Sequence, residues 1–201
     1  MNAAKKLPRE FYTRGDTLLI ARELLGKRLV VPEADGTRVS GIIVETEAYV
    51  GADDKASHAY GNRRTPRTEP MFMLGGIAYV YLIYGIYHQF NVVTNIESNP
   101  HAVLIRAVEP EERIERMRAR RAVTRDEQLT SGPGKLCQAF GIDRSYSKAD
   151  LTGGRVWIEN TRAKIRVDEI ASGPRVGIAY AGEFVEKPWR FWMRNNPYVS
   201  R

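Results

Sequence analysis

The spacing of apolar side chains gives the first outline of the chain. Leu18, Ala21, Leu24 and Leu25 recur at helical spacing, Asp16 stands where an N-cap belongs and Gly26 where a helix ends, so residues 17–27 are expected to be a helix. The period then changes to two. Residues 28–32 read as a strand, Asp35-Gly36 as a hairpin turn and residues 37–50 as a long returning strand. Residues 51–75 are polar and punctuated by Gly51, Gly61, Pro66 and Pro70, which predicts loop. Two aromatic, β-branched runs follow at 77–84 and 86–94, hinged at Gly85, and Ser98-Asn99-Pro100 turns the chain into another strand at 101–108. Pro110 is expected to open a charged helix at 111–122, and Ser131-Gly132-Pro133-Gly134 to precede a short helix at 135–140. Strand-like runs at 156–159, 165–168, 175–179 and 190–194 complete the pattern. With no repeat and no composition break to mark a linker, a single mixed domain of the α+β class on mainly antiparallel sheet is expected over residues 1–201, residues 1–10 being a loosely ordered arm.

The chemistry concentrates in the long strand. In Val-Glu-Thr-Glu-Ala-Tyr, residues 44–49, alternation puts Glu45, Glu47 and Tyr49 on one face. Two carboxylates and a phenol on a buried-looking strand need partners or a task. A carboxylate there can act as a general base and the ring can hold a flat substrate; equally, both acids can pair with arginines or face water. Arg106 ends the apolar run 102–105 and needs an anion, which Glu45 or Glu47 can supply. Strand parity does not choose between the two acids. In the aromatic run, Tyr79, Tyr81 and Ile83 share one face and Val80, Leu82 and Tyr84 the other. Tyr79 and Tyr87 read as core; stacking of a base on one face and a wedge at Tyr84 suit a nucleic-acid partner. His58 closes residues 55–58, read as a helical turn, with Asp53 and Asp54 placed to fix its tautomer or cap that turn. Arg63-Arg64-Thr65-Pro66-Arg67 can grip phosphates or simply be solvated. The mixed charges of 111–122 read as a salt-bridged, solvated face. Gly132-Pro133-Gly134-Lys135 lacks the spacing of a nucleotide phosphate loop.

Composition narrows the classes further. The 201 residues are 43% hydrophobic, enough for a core, and carry a net charge of +7, which favours a polyanionic partner. No apolar run approaches the ~20 residues of a membrane helix, and the N-terminus shows no secretory signal. The only cysteine, Cys137, makes an intramolecular disulfide impossible, favours a cytosolic (cytoplasmic) setting and reads as an inert buried thiol. The three histidines and one cysteine show no zinc-ligand spacing. A metal-dependent nuclease using Glu45, Glu47, Asp53, Asp54 and His58, and a non-catalytic nucleic-acid-binding module, are two readings these residues leave open.

Several ordered stretches carry a resemblance: VETEAY at 44–49, Thr65-Pro66-Arg67, Met71-Phe72-Met73, YVYLIYGIYHQFN at 79–91, VLIRAVEP at 103–110, SGPGKLCQ at 131–138, and GPRVG at 173–177 with Ala181-Gly182-Glu183. From about residue 11 to residue 200 the chain resembles the alkyladenine (3-methyladenine) DNA glycosylase family, the monofunctional type of human and bacteria. The resemblance implies a curved sheet with flanking helices and a protruding hairpin that inserts into DNA. It implies an enzyme acting on double-stranded DNA that turns out damaged purines, alkylated and also deaminated or etheno, and hydrolyses the N-glycosidic bond with water. By position, Glu47 activates the water, Arg106 helps hold it, and the carbonyl of Val176 is its third contact. Tyr49 on one side, with His58 and Tyr81 on the other, clasps the base. Asn91 discriminates against guanine, and Tyr84 is the wedge. No cofactor and no metal are implied, and a monomer is the simplest expectation. His88 and Gln89 fall in a stretch that varies among members, so the order of lesions stays open.

Overall fold

The period-two segments of the sequence become strands of one curled sheet. The computed structural model describes residues 5–161 and 165–200. β1 (Arg28–Pro32) and β2 (Arg38–Tyr49) form a hairpin whose turn is closed by the Asp35 carboxylate, which accepts from the Thr37 amide at 3.1 Å. β3 (Ala78–Ile83), β4 (Tyr87–Thr94) and β5 (His101–Glu112) follow as a meander, and β6 (Trp157–Glu159), β7 (Ile170–Gly173) and β8 (Arg190–Met193) come from the C-terminal third. The eight strands pair antiparallel in the order β3-β4-β5-β2-β1-β6, with β8 beside β2 and β7 beside β8.

The sheet bends where β2 changes partners. Residues 38–42 of β2 pair with β1, residues 45–47 pair with β8, and β5 runs along the other edge from Ser40 to Tyr49. At the changeover the β2–β5 register slips twice, from Ile43↔Val108 to Glu45↔Ala107 to Thr46↔Ile105. Val44 and Arg106 are thereby left without opposite numbers, and such bulges bend a strand and redirect side chains.

The helices are α1 (Arg9–Tyr12), α2 (Thr17–Glu23), α3 (Ile114–Arg121) and α4 (Pro133–Phe140). Asp16 caps α2 as expected, accepting from the Leu19 amide at 2.9 Å. The helix ends before residue 27 because Gly26, at φ +76°, turns its amide to the Ile43 carbonyl and hands the chain to β1. The main core lies between one sheet face and α2 and α4, and includes Ile20, Leu24, Phe90, Ile105, Leu136, Phe140 and Phe191. The opposite face carries smaller clusters beneath the 51–75 loop (Met71, Phe72, Tyr79, Val93) and beneath residues 174–185 (Ala56, Ile178, Ala181). Among the described residues no helix is long and apolar enough to cross a membrane.

Several expectations are corrected. The helix at 111–122 begins only at Ile114, because β5 continues through Pro110 to Glu112. Pro110 lies opposite Gly41 next to a register shift, a position that tolerates proline. Glu111 and Glu112 are then tied across the sheet to Arg28 and Arg38. Residues 165–168 are not a strand; a 3-10 turn at Val167–Glu169 precedes β7. Residues 175–179 are irregular, since Arg175 is drawn inward. Residues 55–58 form turns rather than a helical turn. Tyr87 is not core: it is 45% exposed at the root of the hairpin, although Tyr79 is buried. Of the expected N-terminal arm, residues 1–4 lie outside the described residues, whereas Lys6 bridges Glu159 and Leu7 is buried, its amide on the Ile158 carbonyl.

Candidate active site

Glu45 and Glu47 share a face of β2 and are both fully buried, yet their surroundings separate them. Glu45 is saturated: Oε1 accepts from Arg106 Nε (3.0 Å), Arg190 Nε (2.6 Å) and Ser200 Oγ (2.8 Å), and Oε2 from the Ser200 amide (2.7 Å). Glu47 lines a cavity of about 270 Å³. Its Oε1 accepts from the Val176 amide at 2.7 Å and lies 3.1 Å from Arg106 Nη1, and its Oε2 accepts from Tyr49 Oη at 2.9 Å. Arg106 reaches both carboxylates because the bulge frees it from the ladder. Burial works against its charge, but Glu47 and Glu45 outweigh that and raise its pKa. The positive charge is therefore permanent.

Two aromatic walls flank the cavity. Burial, and then the Glu47 charge, push the Tyr49 phenol well up, so it remains a donor. Arg175 lies over the Tyr49 ring at 4.8 Å and Trp189 at 4.9 Å, and forms a fully buried ion pair with Asp54 at 2.6 Å. Asp54 also accepts from the amides of Val50 and Ala56. On the other wall, the His58 ring meets the Tyr81 ring edge-on at 4.6 Å, and its Nδ1 shares a 2.9 Å hydrogen bond with Tyr79 Oη. Burial, aided by Arg67 and Arg63, pushes the His58 pKa down to about 4, so the ring is neutral near pH 7. Arg67 covers the Tyr81 ring at 4.9 Å. Asn91, on the cavity wall, donates through Nδ2 to the Tyr79 carbonyl at 3.1 Å.

Tyr84 stands at the tip of the β3–β4 hairpin, 82% exposed at the cavity mouth. The Ile86 amide closes the turn on the Ile83 carbonyl, and Tyr84 and Gly85 both have positive φ, +53° and +70°. A tyrosine there is strained, and its side chain stands out into solvent.

The structure thus brings Glu47, Tyr49, His58, Tyr81, Tyr84, Asn91, Arg106 and Val176 around one cavity. It does not gather the acids of the metal-nuclease reading: Glu45 and Asp54 are consumed by arginines, and among the described residues no three His, Cys, Asp or Glu side chains converge on a cation site. Asp54 does not fix the His58 tautomer; Tyr79 occupies Nδ1. Cys137 is buried in the main core, away from this cavity, and burial pushes its thiol up. Sequence reasoning missed Arg190 and Ser200 behind Glu45, Arg175 behind Tyr49, and Tyr180 at the cavity mouth. Their partners lie more than a hundred residues away, so no local pattern announces them.

Comparison with known proteins identifies the family of the chain. The family model described as Methylpurine-DNA glycosylase (MPG) matches residues 10–197. A protein of Desulfitobacterium hafniense, provisionally named a 3-methyladenine DNA glycosylase, is 48% identical over 205 residues, 98% of each chain. Proteins of Bacillus cytotoxicus and Clostridium tetani with the same provisional name are 48% and 47% identical, over 98% of this chain and 100% and 99% of theirs. The chain belongs to the methylpurine-DNA glycosylase family, whose members are hydrolases of N-glycosyl bonds in DNA.

Proposed function

We propose that Glu47 is the general base of this hydrolase, activating a water against a purine nucleotide turned out of duplex DNA into the cavity. The observation that carries this reading is the position of Glu47: a buried carboxylate lining a ring-walled cavity and oriented by the Val176 amide, Arg106 and Tyr49. Neutral water is a poor nucleophile, and help from a positioned base contributes ~10²–10⁴ in rate. The same charge stabilises the cationic sugar that forms as the base departs. Val176 fixes Glu47 through its amide, and its carbonyl is the third water contact implied by the family pattern. Tyr49 faces His58 and Tyr81 across the base, and electron-rich rings attract purines made cationic by alkylation. Neutral lesions, hypoxanthine and ethenoadenine, gain no such attraction and depend on hydrogen bonds. Tyr84 fills the space the nucleotide leaves, and Asn91 screens out guanine. The products are the free base and an abasic site in an uncut strand.

Single-turnover base release from lesion-bearing duplexes tests this. Glu47→Gln should bind the duplex as before and lose at least about a hundredfold in release rate. Glu45→Gln should instead lower stability by roughly 3–5 kcal/mol, because it leaves Arg106 and Arg190 facing a neutral amide in a buried site. Unimpaired release by Glu47→Gln would reject the proposed base.

A further inference from the structure

Gln89 belongs to none of the roles above, yet its side chain lines the same cavity. It sits on β4 directly across from Tyr81 on β3, and the Tyr81 hydroxyl donates to its Oε1 at 2.5 Å. Burial raises the Tyr81 phenol's pKa, so this donor keeps its proton. That bond orients the amide, with one lone pair of its oxygen engaged by Tyr81. Its Nε2 group, two N–H donors, has no partner among the described residues.

The register places this donor relative to Glu47. Glu47 is opposite Leu104, and Leu104 is opposite Asn91, so β4 lies two strand spacings, roughly 10 Å, from the carboxylate's strand. Gln89 is two residues from Asn91, on the same face and nearer the hairpin. Resting on the reading above, the glycosidic bond must lie beside Glu47, so the far wall meets the purine edge most distant from the sugar. That edge carries the 6-substituent. A 6-carbonyl accepts from an N–H donor, whereas a 6-amino group offers only further donors.

We infer that Gln89 is a specificity residue, its free amide N–H group reading the 6-oxo substituent of purine lesions and favouring them over 6-amino lesions. The cost of leaving a half-buried amide donor facing another donor supplies the discrimination. Asn91 lacks this ability in the same form, since its amide nitrogen already donates to two backbone carbonyls, those of Tyr79 at 3.1 Å and Gln89 at 3.4 Å.

The test uses duplex DNA methylated to carry both 7-methylguanine (6-oxo) and 3-methyladenine (6-amino), with the two released bases quantified in the same reaction. The ratio of initial rates is internal, so differences in active-enzyme concentration cancel. Gln89→Met, which removes the donor and the acceptor, should lower the 7-methylguanine to 3-methyladenine ratio roughly tenfold. Gln89→Glu keeps an acceptor for the Tyr81 hydroxyl but has no N–H, and should lower the ratio by a similar factor. Release of hypoxanthine, also 6-oxo, should fall with 7-methylguanine in both variants. An unchanged ratio in either variant, or parallel loss of both bases, would overturn the inference and assign Gln89 only to holding Tyr81. Failure of the unmodified protein to release either base would instead reject the proposed function itself.

Discussion

Glu45 and Glu47 are chemically identical, two positions apart and equally buried, yet one is bound on every side and the other borders open space. Alternation in the sequence shows that they share a face; it carries nothing about Arg190 and Ser200, which arrive from 145 and 155 residues away and decide which acid remains usable. His58 illustrates the same dependence on surroundings. Its folded pKa lies near 4 against an ordinary 6.5, because burial disfavours the imidazolium. Below pH 6.5 the unfolded chain takes up a proton at this ring that the folded chain refuses until about pH 4. The group's full stability is therefore present above 6.5 and is lost as pH falls through the window, by roughly 3 kcal/mol. Urea unfolding of the unmodified protein and of His58→Asn at a series of pH values should show the unmodified protein declining more steeply between pH 6.5 and 4. Parallel curves would mean that the ring is protonated in the fold.

At the scale of elements, the hairpin β3–β4 and the strand pair β2–β5 divide the labour. Both were legible from period-two patterning, and so was α4, because each is a local arrangement. The helix expected at 111 was misplaced because a proline at a bulge beside Gly41 looks, in sequence, like a helix start. The irregular path of 175–179 was likewise hidden, since it follows from one arginine seeking Asp54 across the molecule. The hairpin tip should trade stability for function. Tyr84 occupies a backbone conformation that suits glycine, so Tyr84→Gly should leave the thermal midpoint unchanged or raise stability by up to about 1 kcal/mol. The same variant should bind lesion-bearing duplex more weakly and release base more slowly. A lowered midpoint would show that the ring packs onto the fold. The segment bearing Val176 has the opposite character: Asp54→Asn strands the buried Arg175 charge and should cost roughly 3–5 kcal/mol in denaturant unfolding. A loss below 1 kcal/mol would show that solvent reaches that arginine.

Over the whole molecule, the net charge of +7 is not spread evenly in its effect. Arg28, Arg38, Arg116, Arg118 and Arg120 are each engaged by acidic side chains. Arg63 is exposed and makes no ion pair among the described residues, and Arg67, with none either, covers the Tyr81 ring that helps line the cavity. Binding to duplex DNA should weaken as salt rises from about 50 to about 200 mM. Arg63→Ala should reduce the log–log salt slope by about one, equally for damaged and undamaged duplex. An unchanged slope would place the phosphate path elsewhere. The sheet order adds a mechanical asymmetry. β2, which carries Glu47, is hydrogen-bonded along both sides, whereas β3, which carries Tyr81 and leads to Tyr84, is an outer strand. Amide deuterium uptake should accordingly be slow at the centre and fast toward the hairpin. On the proposed mechanism, the part that meets lesions of different outline can then yield, while the atoms that would set the attacking water stay in alignment.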